Sequence, residues 1–249
     1  MAAKIAVLES HINININNKV NLRKFMNKLN KILVLVMLSM ASLVSNVSAD
    51  SSIFAGPYLG VTASMAGVEM DGDYRDPDQG VNTKDTGQTG MVGTFGSVQA
   101  GYSLTGASMG FVTAGISYTP TGDATFAAKD IGAENVNFTL SDLVEVFVEP
   151  SMMVTANSAV FAHAGYSEGE LAASGTNVAN KTLSLDGITL SGGLKVITDS
   201  NIYIKAEAGM TEYDGFILTG ITGVDDNATA TARADTTVAF GALTVGYKF

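Results

Sequence analysis

Seven ionisable side chains stand singly among apolar or very small residues, and they are where this sequence could do chemistry. Glu145 and Glu149 lie in VEVFVEPS, His163 in FAHAGYS, Lys195 in GGLKVIT, Lys205 and Glu207 in IYIKAEAGM, and Lys248 in VGYKF. Enclosed together, carboxylates and ammonium groups would pair, which is the arrangement that makes buried charge tolerable. A lumen-filling network of ion pairs that blocks flow is therefore expected. The alternative is a narrow polar path for ions or small solutes, with His163 as a pH-sensitive element.

Catalysis asks for more than charge. Acyl hydrolysis would need Ser, His and a carboxylate within hydrogen-bond reach. His163 is the only histidine after residue 49, and Ser167 stands four residues farther along the same run. No catalytic residue is assigned and no enzyme is expected; a lipid-modifying enzyme is the third reading. Asp71-Gly72-Asp73-Tyr74-Arg75-Asp76-Pro77-Asp78 starts with the acidic spacing of a calcium loop. Arg75 then takes a ligand position, Asp76 replaces the required glycine, and no Glu closes the run, so it reads as a solvated loop. Zinc spacing and phosphate-cradling glycine motifs are missing too. No metal and no cofactor are expected.

The elements that must hold these residues are strands. Alternate residues of a strand face opposite sides of its sheet. Ile202, Ile204, Ala206, Ala208 and Met210 share one parity, and Tyr203, Lys205, Glu207, Gly209 and Thr211 the other. Val144, Val146 and Val148 oppose Glu145, Phe147 and Glu149; Ile188, Leu190 and Leu194 oppose Thr189, Ser191 and Lys195. Eight strands are read, near 57–66, 91–104, 109–119, 137–153, 159–167, 182–196, 201–213 and 233–249. Tight connections at 105–108, 155–158 and 198–200 carry the Gly, Asn, Asp and Ser that reverse hairpins. Longer polar connections at 67–90, 120–134, 168–181 and 214–232 alternate with them, the order of an up-and-down membrane barrel with short turns inside and long loops outside.

Parity alone does not say which face looks inward. The charged parity is crowded with Gly, Ser and Thr, which suits the inside of a small cylinder. Tyr102, Tyr118, Tyr166 and Tyr247 recur on the apolar parity near strand ends, where membrane barrels carry aromatic girdles. The apolar side is therefore expected to face lipid and the ionic side to be enclosed.

The flanks agree. Lys28 and Lys31 precede the apolar run Ile32–Val44, which closes at Val47-Ser48-Ala49. A basic start, an apolar middle of 13 residues and small residues before a cut describe a cleavable signal peptide over 26–49, with cleavage between Ala49 and Asp50. Bilayer spanning takes roughly 20 apolar residues. Residues 1–25 read as an upstream extension of the gene or as a long n-region, and 50–249 as the barrel. The leader carries six of the 14 basic and one of the 24 acidic residues, which leaves 8 against 23 and a formal charge of −15. Such acidity argues against a nucleic-acid partner. There is no cysteine, so disulfides do not hold the fold. At the other end Leu243, Val245, Tyr247 and Phe249 share one parity and resemble the C-terminal assembly signal of bacterial outer-membrane proteins.

With these residues in view, the whole region after the leader resembles the small eight-stranded outer-membrane barrels, namely the transmembrane domain of outer-membrane protein A and the opacity-protein-like surface antigens. The phrases that carry the resemblance are EPSMMVTANSAVFAHAGYS (Glu149–Ser167), GGLKVITDSNIYIKAEAGMTEYD (Gly192–Asp214) and the final VGYKF. The resemblance implies an all-β, eight-stranded antiparallel up-and-down transmembrane barrel in the bacterial outer membrane. It further implies contact with outer-membrane lipid and lipopolysaccharide, insertion by the barrel-assembly machinery, and a structural or loop-borne surface role with no particular loop ligand. His163 stands where the fifth strand of the family usually carries Lys or Arg. No peptidoglycan-binding domain follows Phe249, so anchoring through peptidoglycan is not implied.

Overall fold

The computed structural model describes residues 50–75, 84–105, 109–120, 124–131, 134–175, 178–219 and 231–249. The leader, including Ala49, lies outside them. After a short 3-10 helix, Ser51–Phe54, come β1 (Gly56–Arg75), β2 (Lys84–Thr105), β3 (Gly110–Thr119), β4 (Ala124–Ile131) and β5 (Glu134–Met153). β6 (Ser158–Gly175), β7 (Val178–Ile197), β8 (Ile202–Thr219) and β9 (Thr231–Lys248) follow. All pairings are antiparallel, in the order β3-β2-β1-β9-β8-β7-β6-β5-β4, and a further pairing of β3 with β5 closes the sheet. β3 and β4 lie end to end along β5, opposite 143–152 and 134–140 respectively. Nine segments thus make eight staves of a closed cylinder. At the level of β3 closure leaves no strand edge unpaired, which a hydrocarbon surround requires, whereas β4 and the part of β2 before Val98 each pair on one side only among the described residues.

The strands are longer than the hydrophobic pattern suggested. β1 runs on past Gly67 to Arg75 and pairs residue by residue with β2 from Lys84. Asp71–Arg75, the start of the calcium-like run, is therefore paired strand, and Asp76–Asp78 lie outside the described residues. Much of the expected loops at 120–134, 168–181 and 214–232 is likewise ladder, held by β4, β6 with β7, and β8 with β9. The tight connections expected at 155–158 and 198–200 fall at 154–157 and 198–201, and residues 106–108 of the one expected at 105–108 lie outside the described residues. Asn201, at φ 61°, turns the second of them, and its N–H donates to the Thr198 carbonyl at 3.0 Å.

The reason the pattern faded is that it inverts. On β1, Leu59, Val61 and Met65 point outward, with Met65 62% exposed, while Ser64 points inward. Above Gly67 the sides exchange character: Val68 and Met70 are buried, whereas Glu69 and Asp71 are exposed. The same exchange falls between Tyr166 and Glu168 on β6, Ile188 and Asp186 on β7, and Met210 and Glu212 on β8. Below this level the surround is lipid, so apolar side chains face out. Above it the surround is water, so they face in, as in a soluble barrel. The lower storey spans about nine residues, Ile202–Met210 on β8. At roughly 3.3 Å per residue and a tilt near 40° that is about 23 Å of height, close to the apolar band of membrane barrels. Tyr102, Tyr118, Tyr166 and Tyr247 all point outward on this storey.

Two apolar clusters cap the inside. Val68, Met70, Leu140, Leu171, Leu185 and Phe216 line the inside of the upper storey. At the turn end, Phe54 of the 3-10 helix stacks on Phe111 with ring centroids 4.8 Å apart, and it packs with Tyr58, Met109, Met153 and Ile197. The Asp50 carboxylate accepts the Ser52 N–H at 2.9 Å, which starts the helix and holds that carboxyl below its ordinary range.

Candidate functional site: the charged layer of the lumen

Between the two apolar caps lies a polar layer centred on Glu149, whose side chain is fully enclosed, at 0% exposure. β5 puts it inside because Glu145, Phe147 and Glu149 share the inward parity. Lys195 from β7 holds Oε2 of that carboxylate. Lys205 from β8 donates to Oε1 at 2.8 Å, and Nδ1 of His163, from β6, lies 3.1 Å from the same oxygen. Lys205 also meets Oε2 of Glu207 at 2.8 Å. Ser191 donates to Oε1 of Glu207, and the other imidazole nitrogen faces Oε1 of Glu145 at 3.4 Å. Six of the seven expected lumen residues thus meet in one continuous network.

Lys248 does not join it. It borders a small cavity near the turn end with Phe54, Tyr58 and Tyr203, and none of the ion pairs among the described residues involves it. Parity put Lys248 inside correctly, but its level on β9 is the rim rather than the middle. The residues Leu243, Val245, Tyr247 and Phe249 are all exposed on the outward face. Tyr247 and Phe249 meet edge to face with ring centroids 5.2 Å apart. Asp50 is the first described residue, and Ala49 lies outside.

Aromatic and neutral polar groups complete the layer. Phe147 stacks on the His163 ring at 4.9 Å. The Phe161 ring lies 5.0 Å from the Lys195 ammonium and 5.4 Å from that of Lys205, a placement that compensates part of the lost hydration of each cation. Gln99 bridges to the opposite wall. Its amide donates to Thr62 at 3.1 Å and to Thr244 at 2.8 Å, and its carbonyl oxygen accepts from Lys205 at 3.4 Å. Sequence reasoning missed Gln99 and the Phe54 plug, although the inward parity of β2 would have found Gln99.

What can this arrangement do? Ligand atoms of Glu149, His163 and Glu207 come within 4.8 Å of one another, a spacing a cation could use. Lys195 and Lys205 already hold those carboxylates, so the positive charge a metal would bring is in place. For hydrolysis, Ser167 would have to activate through His163, yet its hydroxyl instead donates to the Gly187 carbonyl at 3.5 Å. Side chains from β5, β6, β7 and β8 thus meet in the middle of the cylinder.

Solved structures to which this chain is similar include three bacterial proteins. Ail of Yersinia pestis, crystallised with the heparin analogue sucrose octasulfate, is 13% identical over 76% of this chain and 99% of its own, with a TM-score of 0.38. The outer membrane protein OprG of Pseudomonas aeruginosa is 9% identical over 82% and 100%, with a TM-score of 0.49. The outer membrane protease OmpT of Escherichia coli is 7% identical over 83% and 99%, with a TM-score of 0.43. No family model matches the chain, and neither does any curated protein sequence. The architecture, a closed eight-stave antiparallel barrel with a lipid-facing storey, stands on the strand pairing and the exposed apolar band described above.

Proposed function

We propose that this chain is a non-conducting outer-membrane barrel, a rigid and occluded stave cylinder whose work is structural or lies in contacts made by its outer rim. The enclosed Glu149 carboxylate carries this reading: two lysines reach it through the lumen from β7 and β8, and one imidazole from the neighbouring β6. An eight-stranded barrel leaves an interior that side chains nearly fill. Here the ion pairs of the middle and the Phe54 plug supply that filling. Outer-membrane lipid and lipopolysaccharide then bathe the apolar band, and the outward Leu243, Val245, Tyr247 and Phe249 serve the assembly machinery. No catalytic role is part of the proposal.

Planar-bilayer recording tests it. The protein should give no discrete steps at moderate voltage, and Glu149→Gln together with Lys205→Met should introduce them. Steady openings of the unaltered protein, altered by His163→Ala, would establish the narrow channel in its place.

A further inference from the structure

The inversion of the strands leaves a chamber that the occluded barrel does not need. On the loop side of the charged layer lies a cavity of about 110 Å³. Its walls are the upper-storey apolar side chains, among them Val68, Leu140, Leu171 and Leu185. Its floor is polar: Glu145, His163, Lys205 and Glu207 all border it. A mostly apolar concavity with a few convergent polar groups is the usual form of a small-molecule site.

One polar group in that lining is not used up. Among the described residues Glu145 makes one hydrogen bond, through Oε1 to His163, and its side chain keeps 18% exposure. Both carboxylate oxygens of Glu149 and of Glu207 are held by Lys195, Lys205, His163 or Ser191, whereas Oε2 of Glu145 has no hydrogen bond among the described residues, so a hydrogen-bond donor is matched there and a further carboxylate is not.

We propose that the chamber binds a small amphipathic molecule, an apolar body of about one six-membered ring bearing a single donor group, ammonium or hydroxyl, that sits on Glu145. Size sets the limit: at about 110 Å³ the chamber is smaller than the apolar cavity of about 150 Å³ that accepts benzene, so a single ring must extend partly into its open end and a bulkier body does not fit. The floor of this site is the closed layer of the proposed function. A barrel that conducted and still bound the ligand would remove that reading and leave this one.

Benzylamine, benzyl alcohol and benzoate are the probes, titrated by saturation-transfer NMR into the protein purified from membranes in octyl glucoside, with empty micelles as the blank. Benzylamine and benzyl alcohol should saturate one site, with benzoate at least about tenfold weaker, the loss of one charge-assisted hydrogen bond. Glu145→Gln should weaken benzylamine by a similar factor and leave benzyl alcohol within about threefold, because the amide still accepts a hydrogen bond. Leu185→Phe should remove binding of both by filling the space; Val68→Leu, the milder filling of the same wall, should weaken both if Leu185→Phe fails to fold. Benzoate binding as tightly as benzylamine, signals no different from empty micelles, or benzylamine binding untouched by Glu145→Gln would each overturn the proposal.

Discussion

The ammonium of Lys205 on β8 lies 2.8 Å from the carboxylate of Glu149 on β5, although β6 and β7 separate the two strands around the wall. Strands that are not neighbours can touch only through the lumen, so this contact marks the level at which the cylinder is closed by its own side chains.

Its energetics should follow from what each partner leaves behind. Glu149→Gln leaves Lys195 without its carboxylate and Lys205 with Glu207 alone, and removal of one member of a buried pair typically costs about 3–5 kcal/mol. Lys205→Met removes one cation and the repulsion with it. The double variant should therefore be less destabilised than the two single losses summed, with a coupling above about 1 kcal/mol. Urea unfolding of the four proteins in lipid micelles measures the cycle; strict additivity would mean that the pair is not held in the dry interior.

Tyr203 offers a change of the opposite sign. Its hydroxyl is buried and has no hydrogen-bond partner, while its ring meets Tyr58 edge to face with centroids 5.1 Å apart. Tyr203→Phe keeps the ring and deletes the unpaired group, so it should stabilise the barrel by about 1 kcal/mol. Gly246→Val should do the reverse, because a Cβ at Gly246 would collide with the Tyr203 ring, an overpacking that typically costs about 1–3 kcal/mol. Thermal unfolding, read by the loss of heat-resistant migration on electrophoresis, ranks the three proteins.

Above the lipid band the acidic outer wall should make stability depend on pH. Glu168 and Asp186 are directly opposed across β6 and β7. Burial and the nearby Asp186 push the Asp214 carboxyl above its ordinary value of 3.8. A carboxyl raised in the folded state favours folding while protonated, and that contribution is lost as pH rises through the raised value. Acidification from neutral pH should therefore narrow the stability gap between the unaltered protein and Asp214→Asn, with the variant the more stable at pH 7. Unfolding midpoints against pH check this; parallel curves for the two proteins would contradict it.

Much of the lower storey was legible in the sequence because one solvent rule governs it throughout. The alternation at Ile202–Met210 and Val144–Glu149 gave strand, face and enclosed charge together. The upper storey was hidden for a physical reason. Once water replaces lipid, Val68 and Met70 turn inward and Glu69 and Asp71 outward, so a pattern followed from Leu59 upward loses its phase although the backbone ladder continues. Lys248 shows a second limit: parity fixes the side of a sheet but not the height in the barrel, and only the strand register does that. Phe54 shows a third, because a single turn of helix carries no periodicity to read.

The two-storey orientation is the centre of the account, and nitroxide accessibility in bilayers tests it most directly. The chain has no cysteine, so each introduced cysteine gives one label. On β1, labels at Val61 and Met65 should meet oxygen readily and a water-soluble nickel chelate poorly, and labels at Glu69 and Asp71 should show the reverse preference. The same preference at all four positions, or chelate access at Met65, would contradict the inversion and the membrane boundary drawn from it.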